Sequence, residues 1–247
     1  MTKNNVARIK NSLYAGGYGR AVNECMKAIK ERRKLSVFTP NSEMLSRARR
    51  SQRLYSLLMK ADILFPDGTG CYLMMKRSGI GPKQKTCGID LAEILIREAV
   101  KKHCRIFILG GRPGVSARAA KKINEAHGCS VTCGSHHGYY DKSGAENEKV
   151  IRYIDSSRPD IIFVCLGFPD QETWISNNLC KLKTASVAIG LGGSADVWSG
   201  DVKRAPVAFQ KAGLEWAYRL LSDPRRILRL PHLINFAFSE LCTNKYS

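Results

Sequence analysis

The run Ile161-Ile162-Phe163-Val164-Cys165-Leu166 is apolar at every position, with no alternation of polar and apolar residues. A strand resting one face on a core alternates. A strand that is apolar throughout must be covered on both faces, as in a parallel sheet enclosed by helices. The run is also far shorter than the roughly 20 residues a membrane-spanning helix needs. Counting it as the strand Asp160–Leu166, five further short segments read as strands: Ser36–Phe38, Asp62–Phe65, Arg105–Leu109, Ser130–Cys133 and Ala185–Ile189.

Helical patterning fills the gaps. Met44, Leu45, Ala48, Tyr55 and Leu58 recur at roughly helical spacing up to Lys60, and Asp90 followed by Glu93 reads as a capping-box start for a helix carrying Leu91, Ile94 and Leu95. A third helix runs from the Gly110–Gly114 turn through Ala126 and closes at Gly128. A loop with His136 and His137 leads to a fourth around Val150, Ile151 and Ile154, and Gly167–Gln171 opens a fifth. The expected fold is α/β: a Rossmann-like parallel sheet of about six strands with helices on both faces. In such sheets ligands bind outside the carboxyl ends of the strands. That rule gathers Thr39–Asn41, Asp67-Gly68, Gly110-Gly111, Gly167–Gln171 and Gly190–Gly193 at one edge.

From about Val197 the pattern breaks. No strand follows, and the tail carries Arg204, Arg219, Arg225, Arg226 and Arg229 among Trp198, Trp216 and Tyr218. Leu230, Leu233, Ile234, Ala237, Phe238 and Leu241 form the stripe of an amphipathic helix, suited to packing on the domain or to docking at a membrane interface. The chain therefore divides into a Rossmann-like domain, 1–196, and a basic helical appendage, 197–247.

Forty Lys and Arg against 21 Asp and Glu leave a net charge of +19, which calls for a polyanionic partner: nucleic acid, a phosphorylated substrate or an acidic lipid surface. Residues 1–60 hold 14 of those cations and only three acids. The nine cysteines include no C-x-x-C pair, and Cys129 and Cys133 with His136 and His137 match zinc spacing poorly, so no metal is expected. Scattered thiols and no recognisable signal peptide point to the cytoplasm.

Taken singly, the motifs are weak. Gly190-Leu191-Gly192-Gly193-Ser194-Ala195 matches G-x-G-x-x-A after a strand, but Gly200 and Pro206 interrupt what a dinucleotide fold would need next. Gly110–Gly114 suits an anion-binding helix start. No G-x-x-x-x-G-K-[ST] and no D-x-D occurs, so a leaving diphosphate would have to be met by arginines or backbone amides. Asp67 lies in a Pro-Asp-Gly turn at a strand end. It is either a turn former or a carboxylate placed to take a proton from a bound hydroxyl. Gln171 and Glu172 are helix caps or ligand contacts, and the five histidines form no ligand set or triad.

In order along the chain, Thr39-Pro40-Asn41-Ser42-Glu43, Pro66-Asp67-Gly68-Thr69-Gly70, Gly88-Ile89-Asp90-Leu91, Gly110-Gly111, Leu166–Glu172 and Ala205-Pro206 with Gly213-Leu214-Glu215-Trp216 resemble the WecG/TagA/CpsF family of bacterial glycosyltransferases. The resemblance implies an inverting, metal-independent enzyme at the inner face of the cell membrane. It would move a sugar, N-acetylmannosamine favoured, from a UDP-sugar to a polyprenyl-diphosphate-linked sugar in cell-surface polysaccharide or teichoic acid assembly. Carried over, Asp67 becomes the general base, and Thr39 and Asn41 line the same pocket. Gly68, Asp90, Gly110, Gly111, Gly167, Gln171, Glu172, Gly190, Gly192 and Gly193 become substrate contacts, and Arg219, Arg225, Arg226 and Arg229 close over the diphosphate. Where family members have Arg before Gly-x-Asp, this chain has Lys85, expected as a phosphate contact of the substrate, which keeps the charge but loses the bidentate fork. Two other classes remain open on residues alone: a basic nucleic-acid-binding α/β protein and a nucleotide-dependent oxidoreductase. No oligomeric state is read.

Overall fold

The structure, a computed structural model, describes residues 3–81, 83–215 and 217–218. All six expected strands are present: β1 Leu35–Phe38, β2 Ile63–Leu64, β3 Ile106–Gly110, β4 Thr132–His136, β5 Ile161–Cys165 and β6 Val187–Gly190. They form one sheet in the order β2-β1-β6-β5-β3-β4, every pair parallel. The helices are α1 Lys3–Ser12, α2 Gly17–Lys30, α3 Ser42–Arg50, α4 Gln52–Leu58, α5 Gly68–Arg77, α6 Gly88–Lys102, α7 Val115–His127, α8 Gly144–Ser157, α9 Asp170–Asn178, α10 Ser194–Ser199 and α11 Val207–Lys211.

The apolar runs divide their side chains strictly by position. Val37, Ile63, Ile106, Ile108, Ile161, Phe163, Val187 and Ile189 face a core completed by α2, α6 and α7. Their neighbours Phe38, Leu64, Phe107, Leu109, Ile162, Val164 and Ala188 face a second core, completed by α3, α4, α8 and α9. Burial of each large side chain is worth about 1.5–3 kcal/mol. A strand with no polar face therefore keeps its place only between two helical layers.

Local differences from the sequence reading have local causes. The helix expected up to Lys60 is two, because Ser51 leaves helical geometry (φ −135°) and its hydroxyl caps α4 by accepting from the Leu54 amide at 3.3 Å. The capping box at Asp90 does not form: α6 begins at Gly88, and Asp90 instead binds groups outside the helix. β4 lies further along than Ser130–Cys133, so His136 ends a strand and is not in a loop. As an edge strand it buries only Thr132, which hides it from an apolar reading.

The basic N-terminal region joins the same body. Leu13 bridges to Leu64 in parallel, the Tyr14 amide donates to the Leu64 carbonyl at 2.8 Å, and α2 buries Ala21, Val22, Cys25 and Ala28. Within the basic run after α2, Lys34 caps carbonyls, donating to Leu182 at 2.6 Å and Ala185 at 2.7 Å. Among the described residues no helix is long and apolar enough to cross a membrane. The expected stripe Leu230–Leu241 lies outside the described residues. α10 runs through position 196–197, and Trp198 packs on Phe163 with ring centroids 5.6 Å apart.

Candidate active site

The connections leaving β3 and β5 diverge, one to the edge strand β4 and the other inward to β6. Such a divergence is the usual place for a ligand in an open α/β sheet. With all strands parallel, their carboxyl ends bring five of the expected loops to one edge.

Asp67 stands just past β2 as the N-cap of α5, half-buried and extended (φ −114°). Its side chain does not cap its own helix. Oδ1 accepts the Gly88 amide at 3.0 Å, at the first turn of α6. The backbone is fixed on both sides, since the Asp67 amide donates to Pro40 O at 2.9 Å and the Gly68 amide to Thr86 O at 2.8 Å. Cys87 supplies a side-chain hydrogen bond to the same carboxylate. Burial, then the Asp67 charge, pushes that thiol well above its ordinary range and keeps it a protonated donor.

Thr39 follows β1 and is nearly fully buried. Its hydroxyl donates to Gly190 O at 2.6 Å, joining the exits of β1 and β6. A Cβ on Gly88 would lie 3.1 Å from Thr39, so Thr39 also backs the turn that holds Asp67. Asn41, expected in the same pocket, uses Oδ1 to cap α3 by accepting the Met44 amide at 3.1 Å. Gln171 is 2% exposed and carries a strut: its Oε1 accepts the Gly192 amide at 2.8 Å and its Nε2 donates to Glu172 Oε1 at 2.8 Å. Burial pushes the Glu172 carboxyl up to about 7.

The glycines divide. At Gly110 a Cβ would overlap the Cys165 carbonyl, and at Gly111 it would lie 2.8 Å from Val115 Cγ1. Gly68, Gly167 and Gly192 also have positive φ, yet a Cβ there would meet no described atom within 4 Å. Gly193 has only Asp196 nearby, at 3.7 Å.

A strap formed by residues 201–215 lies across the Asp67 side of the edge. Lys85 Nζ donates to Gln210 O at 2.5 Å, and the Thr69 hydroxyl to Gly213 O at 2.8 Å. Arg204 binds Asp90 directly and has Glu93 at 3.6 Å and Glu215 at 3.8 Å. Tyr18 donates to the other Asp90 oxygen at 3.3 Å and accepts the Cys87 amide at 2.8 Å. Lys85 and Asp90, expected to meet substrate, thus hold the strap. Arg219, Arg225, Arg226 and Arg229 lie outside the described residues. Near β4, His136 Nδ1 lies 2.8 Å from His137 O, and no three His, Cys, Asp or Glu among the described residues gather in a metal-holding group. The last two residues of Gly190–Ala195 already open α10, which is six residues long and closed by Gly200, with no strand beyond it among the described residues.

The family model of the glycosyl transferase WecG/TagA/CpsF family matches residues 9–246. The chain belongs to that family. Among similar proteins is the N-acetylglucosaminyldiphosphoundecaprenol N-acetyl-beta-D-mannosaminyltransferase of Bacillus spizizenii, 36% identical over 202 residues, which are 80% of this chain and 76% of the relative. The protein of the same name from Staphylococcus aureus is 33% identical over 204 residues, 83% of this chain and 78% of its own length.

This WecG/TagA/CpsF member is accordingly a glycosyltransferase on a six-stranded parallel sheet. Several residues that shape its site escaped sequence reasoning. Gly88 and Arg204 sit in or beside motifs that could have flagged them. Tyr18, 69 residues from the Cys87 amide it meets, carries no signal in the sequence.

Proposed function

We propose that this glycosyltransferase moves an N-acetylmannosamine-type sugar from a UDP-sugar to the hydroxyl of a polyprenyl-diphosphate-linked saccharide, with inversion and without a metal. The observation that carries the reading is Asp67: a half-buried carboxylate just past β2, oriented by the Gly88 amide and followed by Gly68, where an added Cβ would meet no described atom within 4 Å. The relatives' name supplies the sugar and the lipid-diphosphate class of acceptor.

In one displacement, the acceptor oxygen attacks the anomeric carbon as its proton passes to Asp67. The bond from that carbon to the diphosphate oxygen breaks, and the electron pair leaves with UDP. General-base help of this kind is worth about 10²–10⁴-fold. The leaving diphosphate is met by cations, with Arg219, Arg225, Arg226 and Arg229 assigned that part. With no D-x-D in the chain, no carboxylate pair of that type is present to hold a divalent ion there.

A polyprenyl acceptor stays in the bilayer, so the enzyme works at the cytoplasmic membrane face as a peripheral protein. Each basic residue near an anionic leaflet contributes about 1 kcal/mol, and the net charge of +19 suits that surface.

The test is a donor screen: UDP-sugars offered singly with a short-chain prenyl-diphosphate-GlcNAc acceptor, with and without chelator. Transfer from UDP-N-acetylmannosamine, unchanged by chelator, is expected. Transfer that needs another nucleotide or a divalent ion overturns the donor or the metal part respectively.

A further inference from the structure

Glu172 is wholly buried at the start of α9, and no step above uses it. Its Oε1 accepts from Gln171 Nε2 at 2.8 Å, whereas no described hydrogen-bond partner meets Oε2. A half-satisfied buried carboxyl is expensive to keep, so its position calls for a function.

The Gln171 amide supplies one. Its oxygen takes the Gly192 amide at 2.8 Å while its nitrogen faces Glu172. Flipped, its NH2 would point at the Gly192 N–H, a donor facing a donor. The same amide presses on Gly190, where a Cβ would lie 2.8 Å from Nε2, and Gly190 O receives the Thr39 hydroxyl at 2.6 Å. The exits of β5, β6 and β1 are thereby joined in one line.

We infer that Glu172 is a positioning residue: acting through Gln171, it holds the Gly190–Gly193 loop, with Thr39 behind it, at the spacing that sugar transfer requires. The inference rests on the glycosyl-transfer reading above. Burial favours the uncharged acid, which the hydrogen bond from Gln171 and the charge of Arg47 on α3 oppose and Asp170 assists. In that form Oε2 carries the proton and Oε1 remains the acceptor.

Three variants test it. Glu172→Gln keeps an oxygen for Gln171 in the same shape and retains kcat/KM to within about threefold, the weight of a small change in one hydrogen bond. Glu172→Leu removes the acceptor, and kcat/KM falls about 10- to 100-fold, since misplacement by an ångström suffices for the larger figure. Its Tm holds or rises, because an apolar group replaces a half-satisfied buried one. Adding Gln171→Leu to Glu172→Leu costs nothing more, as the two residues act in series. A purely structural Glu172 gives the reverse split, with Tm lost and the folded fraction fully active.

Unchanged kcat/KM in Glu172→Leu overturns the inference. So does a Gln variant as damaged as the Leu variant, or additive losses in the double variant. Should Glu172→Leu not fold, the Gln171 side-chain amide of 15N-labelled wild-type enzyme decides. Protection from hydrogen exchange supports the strut, and a freely exchanging amide overturns it. That measurement needs no substrate, so wild-type enzyme that transfers no sugar overturns the transferase reading without obscuring this one.

Discussion

Glycines of two kinds line the same sheet edge. Where β3 meets β5, they answer to crowding. A Cβ on Gly110 would overlap the Cys165 carbonyl and lie 2.8 Å from Cys165 Cα, and one on Gly138 would lie 2.5 Å from Leu166 Cδ2. At Gly68, Gly167 and Gly192 the demand is only conformational, with φ of +84°, +80° and +54° and no described atom within reach of an added Cβ. The first set joins backbone to backbone. The second has no described atom within 4 Å of an added Cβ, at Gly68 beside Asp67 and at Gly192 on the Gln171 strut. A loop rich in glycine therefore does not by itself mark a ligand site; the room in front of it does.

The comparison breaks most visibly at Gly110. Gly110→Ala must force β3 from β5 at the centre of the sheet, and the expected loss exceeds about 4 kcal/mol, the range reserved for such conflicts. Little folded protein at 37 °C is the outcome, read by circular dichroism and soluble yield. A well-folded Gly110→Ala protein ends the claim of crowding.

On the open side the largest effect belongs to Asp67. Asp67→Asn keeps the shape and an oxygen for the Gly88 amide but cannot take the acceptor's proton, so turnover falls by about 10²–10⁴-fold. UDP binding, measured by calorimetry, survives. Near-normal single-turnover rates in this variant remove Asp67 from the chemistry.

What the sequence disclosed follows the same division. Strands buried on both faces, such as Ile161–Cys165 and Ile106–Gly110, are legible because no polar residue interrupts them. The edge strand β4, with Cys133, Gly134, Ser135 and His136 only half-buried, is displaced in that reading. α5 is not among the helices read from the sequence, because it opens on Gly68-Thr69-Gly70, residues of weak helix preference. Family motifs carried the loops at the edge but not their partners. Nothing in residue spacing says that Gly88 orients Asp67, that Gln171 grips Gly192 or that Lys85 caps Gln210, because each joins residues 21 to 125 positions apart. Those pairings come from strand order, and strand order comes from the crossovers.

Glu172 sharpens the comparison through pH. Burial raises its folded-state pKa to about 7 from the ordinary 4.5, so between those values the folded protein binds more protons than the unfolded one. Its contribution to stability is full below about pH 4.5 and is lost as pH rises through 7. The loss is on the order of 3 kcal/mol at most, from about 1.4 kcal/mol per pKa unit. Denaturant midpoints from pH 5 to 8 should fall more steeply in wild type than in Glu172→Gln, which has no proton to lose. Parallel curves place the proton elsewhere.

The smallest effect is the counterpart of the first. Gly192→Ala meets no described neighbour, and φ of +54° lies inside the left-handed region that a residue with a Cβ can enter at a cost of about 1–2 kcal/mol. For a chain of this length each kcal/mol lowers Tm by about 2–4 °C, so the variant folds and melts only slightly early. Its added methyl instead occupies the space beside the loop whose amide Gln171 holds, and the donor KM rises while kcat stays close to wild type. The pair Gly110→Ala and Gly192→Ala then separates by stability in one direction and by substrate binding in the other. If both unfold alike, positive φ alone accounts for the glycines and the open space has no functional meaning; if Gly192→Ala leaves KM untouched, the ligand lies nearer Gly68 and the β2 end of the sheet.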